Sequence, residues 1–219
     1  MPHRHDAVLF DLDGTLLDTA PDFVTAINRV LAERGLPPRP ESMVRAAVSH
    51  GSAGLIAATF DLEASHPDFE PLRQALLAHY RTCLTDETRL FPGMERVLEA
   101  LAVRGIPWGI VTNKPAQYTD AIVARLPWPS PPATVICPDH VTRTKPDPEP
   151  VLLACRQLDL APGRAIYVGD HLRDIEAGRG AGTATVAAAY GYLDADENPA
   201  EWGADHIIER ADQLIDILF

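Results

Sequence analysis

The sequence predicts an α/β protein, a doubly wound parallel sheet carrying an inserted α-helical unit. Short apolar runs of strand length occur at residues 7–10, 108–112, 133–137, 165–169 and 183–188. Helical patterns separate the later runs, the alternation that builds a parallel sheet. Three of the runs stop on polar residues, Asp11, Thr112 and Asp170, and in open α/β sheets ligands bind outside the carboxyl ends of the strands. Between the first run and the rest, residues 19–87 show only helix-period spacing. The expected organisation is therefore a core of residues 1–18 and 88–219 with a helical unit of residues 19–87.

The first element, Ala7–Phe10, has the length and composition of a buried parallel strand, and Gly14 supplies the turn that stops it. Asp11 and Asp13 follow at the strand's end. Two carboxylates allow two roles: one attacks an electrophile while the other manages the leaving group's proton. The alternative is that Asp-Leu-Asp-Gly merely closes a strand, since Asp and Gly are common turn formers. Phe23, Ile27, Val30 and Leu31 then recur at helical spacing before Gly35, as do Leu72, Leu76, Leu77, Tyr80 and Leu84. Val48-Ser49-His50-Gly51-Ser52 is a polar break between helical stretches. The segments Leu16–Ala20 and Glu87–Gly93 are the expected hinges of the insert.

The second strand, Trp108 onward, ends on Thr112, Asn113 and Lys114, and small donors at a strand end suit phosphate oxygens. A lysine in this position also reads as a solvated side chain. Pro127-Trp-Pro-Ser-Pro-Pro132 is a stiff loop. Lys145 precedes a proline-rich stretch leading to a helix that begins near Glu149, and proline is tolerated in a first helical turn. Ala165–Gly169 is another strand, ending at Asp170. With a helix opening near residue 171, Asp170 and Asp174 lie close together at its start, where the dipole favours anions. His171, beside Asp170, is placed to touch a leaving group, but it reads more readily as an exposed histidine at a helix start.

Composition narrows the function. The chain has 219 residues, 46% hydrophobic and 23% charged, enough for one good core and a smaller unit. Its 19 basic and 31 acidic residues give a formal charge of −12, the wrong sign for binding nucleic acid. No apolar segment approaches the length of a signal peptide or membrane span, and the three cysteines, Cys83, Cys137 and Cys155, form no paired motif. A cytoplasmic, reduced setting is the expectation. No Cys/His cluster has zinc or iron spacing. Four aspartates converging on one site would repel one another, and a hard dication on oxygen ligands, Mg²⁺, is the simple remedy.

These segments, in order, resemble the four motifs of the haloacid dehalogenase superfamily: Asp-x-Asp-Gly-Thr at 11–15, the strand ending at Thr112, the lysine at 145, and Gly-Asp-x-x-x-Asp at 169–174. The resemblance implies that Asp11 is a nucleophile that becomes an aspartyl phosphate and Asp13 the general acid and base. Thr112, Asn113 and Gly14 would bind phosphate, and Lys145 would neutralise the nucleophile and the transferring charge. Asp11, Asp170 and the backbone carbonyl of Asp13 would hold Mg²⁺, with Asp174 as a ligand or support. Dehalogenases lack the second acid because halide leaves without a proton. This chain keeps it, so phosphate-ester hydrolysis is expected.

A helical insert between the first two motifs resembles the helical-cap subgroup, which contains phosphoglycolate phosphatases and β-phosphoglucomutases. By that resemblance Ser49, His50 and Gly51 occupy the specificity loop of the cap, although an ordinary interhelical turn accounts for them equally well. Residues 135–141, 145–150 and 197–205 resemble a proteobacterial branch that dephosphorylates N-acetylmuramic acid 6-phosphate. The expected partner is a small phosphorylated metabolite, N-acetylmuramic acid 6-phosphate or 2-phosphoglycolate, with the chain a monomer or small homo-oligomer. A phosphosugar mutase would share every motif, whereas a noncatalytic phosphate-binding regulator would be expected to have lost an acid or the lysine.

Overall fold

The computed structural model describes residues 5–194 and 196–219. Residues 1–4, the expected start of the core, lie outside the described residues. The apolar run Ala7–Phe10 forms strand β1, buried at every position. Beyond the turn, a two-residue strand β2 (Leu17–Asp18) leads into four helices: α1 (Ala20–Glu33), α2 (Glu41–Ala47), α3 (Gly51–Phe60) and α4 (Phe69–Cys83). The chain returns through β3 (Arg89–Leu90), which pairs antiparallel with β2 so that Leu17 faces Leu90. Helices and strands then alternate through α5 (Met94–Arg104), β4 (Trp108–Val111), α6 (Ala116–Arg125), β5 (Thr134–Ile136) and α7 (Glu149–Gln157). The remainder comprises β6 (Ala165–Gly169), α8 (Leu172–Ala181), β7 (Ala184–Ala188), β8 (His206–Ile208) and α9 (Leu214–Leu218).

The main sheet has six parallel strands in the order β5-β4-β1-β6-β7-β8. The chain starts in the middle, builds outward through β4 and β5, and crosses back to β6. The order therefore reverses beside β1, the place where a doubly wound sheet opens a crevice at its strand ends. Val8 and Phe10 face one apolar cluster with Val97, Leu101, Ile122 and Leu214. Leu9, pointing the other way, packs with Val151, Ala154 and Ala177. This two-sided burial is why β1 and β6 read as unbroken apolar runs.

The apolar cluster on the Val8 face continues into the helical insert through Phe23, Val30, Leu76 and Tyr80. Phe23 of α1 and Tyr80 of α4 stack with ring centroids 3.9 Å apart. Asp22, fully buried one residue earlier, accepts hydrogen bonds from the backbone N–H groups of Thr85, Glu87 and Thr88 and from Thr88 Oγ1 at 2.6–3.2 Å. One carboxylate on α1 thus satisfies the donors of the segment returning from α4. In the loop Pro127–Pro132, Trp128 packs on Trp108 at 5.4 Å between ring centroids and Ser130 accepts from Trp108 Nε1, so it covers the start of β4. Among the described residues no helix is long and apolar enough to cross a membrane, and Cys83, Cys137 and Cys155 are buried and unpaired.

Candidate active site

Four strand ends and turns converge beside β1. Asp11, just past β1, is 5% exposed, and Lys145, from the loop before α7, places Nζ 2.7 Å from Asp11 Oδ1. The same ammonium lies 2.7 Å from Asp174 Oδ1 and donates to Val111 O at 3.0 Å and Tyr167 OH at 2.9 Å. Burial pushes the Asp11 carboxyl up to about 6, against the pull of Lys145 and with the help of Asp174. Burial works equally against the Lys145 charge, yet Asp11 and Asp174 more than offset it and raise that pKa. The lysine is therefore a fixed cation whose position depends on two carboxylates.

Asp170, at the end of β6, accepts from Thr15 Oγ1 at 2.9 Å and from the backbone N–H of Tyr192 at 2.9 Å. Its neighbours leave no room for side chains: a Cβ on Gly14 would stand 2.0 Å from Asp170 Oδ2, and one on Gly191 2.3 Å from its Cβ. Gly14 also has φ of +88°, so its lack of a side chain serves both the turn and the carboxylate beside it. Asp11, Asp170 and Asp174 bring ligand oxygens within 4.8 Å of one another, all three residues buried. Burial, with the neighbouring Asp11 and Asp174 charges, holds the Asp170 pKa well above its ordinary range. Buried hard oxygens whose charges are only partly compensated fit a hard dication such as Mg²⁺. Asp174 already accepts from Lys145, from Tyr167 OH and, at Oδ2, from the His171 backbone N–H; its contacts suit holding the lysine as much as a metal.

The Asp13 carboxylate faces elsewhere. It accepts from Thr19 Oγ1 at 2.6 Å and from Lys114 Nζ at 2.9 and 3.2 Å. Lys114 is therefore not the solvated lysine its position after a strand suggests: its side chain is 5% exposed, with Nζ 4.9 Å from the ring centres of both Phe23 and Tyr80. The stacked aromatic pair of the insert forms its slot. Thr112, beside it, accepts from the Lys114 backbone N–H. Asn113 spends its amide on the Lys145 peptide, donating to Lys145 O at 3.0 Å and accepting from Lys145 N at 3.2 Å, which ties two strand-end segments together.

A cavity of about 660 Å³ opens over these groups, within the roughly 300–1,000 Å³ usual for small-molecule sites. Asp11, Asp13, Thr112, Asn113 and Lys145 line it from the core, and Ser49, His50 and Gly51 line it from the insert. That polar break is a short 3₁₀ turn running into α3, with Gly51 at φ of +66°. It is clasped to the core: Ser49 Oγ donates to Tyr192 O at 3.1 Å, His50 Nε2 lies 2.8 Å from Asp194 Oδ2, and Arg173 Nη2 donates to Ser49 O at 2.7 Å. His171, the N-cap of α8, is half-buried, with a pKa lowered by burial and by Arg173; the exposed reading of this residue fails. Arg173 and Tyr192 carry no motif that would single them out. Tyr192 OH accepts from the N–H groups of Thr19 and Ala20 while donating to Asp18, so it joins the hinge to the Asp170 loop.

Comparison with known proteins places this geometry in a family. Residues 8–188 match the model of the haloacid dehalogenase-like hydrolases. The chain is 49% identical to N-acetylmuramic acid 6-phosphate phosphatase of Pseudomonas aeruginosa, over 98% of this chain and 95% of that protein. It is 42% identical to phosphoglycolate phosphatase of Xanthomonas campestris pv. campestris, over 95% of this chain and 94% of that one. A crystal structure described as a predicted phosphoglycolate phosphatase from Haemophilus somnus superposes with a TM-score of 0.85 at 27% identity, covering 99% of both chains. The four clustered motifs are thus those of a family rather than a coincidence of turns: this chain belongs to the haloacid dehalogenase-like hydrolases.

Proposed function

We propose that the chain is a phosphomonoester hydrolase that works through an aspartyl phosphate, with residues 19–87 acting as its cap. The observation that carries this reading is the buried ammonium of Lys145 shared by Asp11 and Asp174 at 2.7 Å each, beside Asp170 and at the base of a cavity. Phosphoryl transfer is chiefly positioning and charge neutralisation. The residues here supply an oxygen nucleophile, a fixed cation and hard oxygens for Mg²⁺, which when bound would neutralise the phosphoryl oxygens.

In the first half-reaction an Asp11 oxygen attacks phosphorus, the bond from phosphorus to the ester oxygen breaks, and Asp13 delivers a proton to that departing oxygen. In the second, water attacks the aspartyl phosphate and Asp13 takes its proton, releasing inorganic phosphate and regenerating the Asp11 carboxylate. Thr112 and the backbone at Asn113 hold phosphoryl oxygens, while the clasp of Ser49 and His50 onto the core keeps bulk water from the acyl phosphate. The likeness to relatives named for N-acetylmuramic acid 6-phosphate and phosphoglycolate makes these the first substrates to try.

Phosphate release from both esters with Mg²⁺, by wild-type and Asp11→Asn protein, tests the reading. Turnover by wild type and a loss of about 10³-fold or more in the variant are expected, as for removal of a catalytic nucleophile. Comparable turnover by Asp11→Asn removes Asp11 as nucleophile, and isomerisation of a sugar phosphate without phosphate release makes the chain a mutase.

A further inference from the structure

Although the chain has a formal charge of −12, the cations in its cavity wall outnumber the acids. Asp11 and Asp13 are the acids of that wall, set against Arg73, Arg81, Lys114, Lys145 and Arg173. Lys145 and Lys114 are committed to the two aspartates, and the Arg73 guanidinium is held by Glu70 at 2.7 and 2.8 Å. Among the described residues Arg173 has no carboxylate partner but donates to Ser49 O, and Arg81 has no carboxylate partner either. Its guanidinium lies 5.7 Å over the Tyr118 ring, and its Nη2 reaches Gln117 Oε1 at a long 3.4 Å. Arg73 and Arg81 stand eight residues apart on α4, about 12 Å along the axis and about 80° apart around it.

Arg81 contacts Tyr118 and Gln117 and none of Asp11, Asp13, Thr112, Asn113 or Lys145, so it stands in the cavity wall apart from the groups proposed to handle the phosphoryl group. An exposed arginine fork set over a tyrosine ring, with free donors, is shaped for bidentate binding of a carboxylate. Placing such a cation in a wall where every other basic group but Arg173 is neutralised favours a second anionic group on the substrate. The two relatives bear on this from outside the structure, because the acids in their names, N-acetylmuramic acid 6-phosphate and phosphoglycolate, share little except a phosphate and a carboxylate.

We infer that Arg81, oriented by Tyr118 and Gln117, reads a carboxylate on the leaving group, so that the enzyme selects phosphate monoesters of carboxylic acids over neutral esters. This specificity rests on the phosphatase reading of the same site. It is tested by comparing kcat/KM for N-acetylmuramic acid 6-phosphate and for N-acetylglucosamine 6-phosphate, which lacks the lactyl carboxylate, in wild type, Arg81→Met and Arg81→Lys. p-Nitrophenyl phosphate serves as a reporter of the phosphoryl site. Wild type is expected to favour the acid, and Arg81→Met to shrink that ratio by about 10- to 100-fold, the range for a lost charge-assisted hydrogen bond. Arg81→Lys should recover part of it. If all three proteins hydrolyse p-nitrophenyl phosphate and the ratio does not move, the carboxylate subsite is wrong and the phosphatase reading stands. If wild type hydrolyses none of the three esters, the phosphatase reading falls and takes the subsite with it.

Discussion

Lys145→Met replaces a buried ammonium by an apolar side chain of similar length, and its consequence depends on pH in a way the site geometry dictates. Wild-type Nζ contacts Asp11 Oδ1 and Asp174 Oδ1 at 2.7 Å each, Tyr167 OH at 2.9 Å and Val111 O at 3.0 Å. Its removal leaves Asp11, Asp170 and Asp174 buried together without their cation. Breaking a buried ion pair from one side costs about 3–5 kcal/mol when the remaining charge stays. The carboxyls can escape that cost by taking up protons. Burial already raises Asp11 to about 6, and Lys145 is the chief influence holding it down, so in the variant the group protonates more readily still.

A carboxyl whose folded pKa lies above its ordinary value contributes stability below that ordinary value and loses it as pH rises through the folded pKa. At pH 5 the variant therefore loses mainly hydrogen bonds, about 1–3 kcal/mol, whereas at pH 8 it carries the full unpaired-charge penalty. The difference of about 2 kcal/mol corresponds to roughly 4–8 °C in Tm for a chain of this size. Guanidinium unfolding of wild type and variant at both pH values, in EDTA, measures it. An equal destabilisation at pH 5 and pH 8 would refute the claim that Lys145 acts as the counter-charge of the acidic cluster.

Metal and hinge give two further tests. Because burial raises both Asp11 and Asp170, the chelated wild-type protein should lose thermal stability as pH rises from 4 to 7; Mg²⁺ should restore it at pH 7 and have little effect at pH 4, where protons occupy the ligands. Differential scanning fluorimetry reads this, and a Tm at pH 7 indifferent to millimolar Mg²⁺ removes the dication from the site. Asp22→Ala strips a fully buried acceptor from three backbone N–H groups and one hydroxyl, a loss of about 2–4 kcal/mol. Faster amide exchange at Thr85, Glu87 and Thr88 should accompany it, and native-like protection there would show that the return segment is held by other means.

The end of the sheet where the cavity opens was legible because strand ends in a doubly wound sheet are punctuated. An apolar run buried on both faces can stop only where polarity is needed, so Asp11, Thr112 and Asp170 announce the crevice by interrupting Ala7–Phe10, Trp108–Val111 and Ala165–Gly169. Helical periodicity marked α1 and α4 for the same reason, through Phe23, Ile27, Leu72 and Leu76. β2, β3 and β8 were not legible: two or three residues, exposed in part, carry no period that could distinguish a strand from a turn.

Lys114 shows what local pattern cannot supply. Nothing adjacent to it in sequence distinguishes a solvated lysine from a buried one. Its slot is made by Phe23 and Tyr80, which periodicity identifies only as core, and its partner Asp13 lies 101 positions away. The insert, by bringing that aromatic pair over the strand ends, shields the Lys114 side of the Lys114–Asp13 pair from water. A pair in high dielectric is worth little and is easily broken, whereas the same pair shielded by two rings is a strong and directional contact. The helical insert therefore contributes to the surroundings of the Asp13 carboxylate as well as to the shape of the cavity. Residues on α1 and α4, Phe23 and Tyr80 first, set the surroundings of the carboxylate proposed to handle the leaving group's proton.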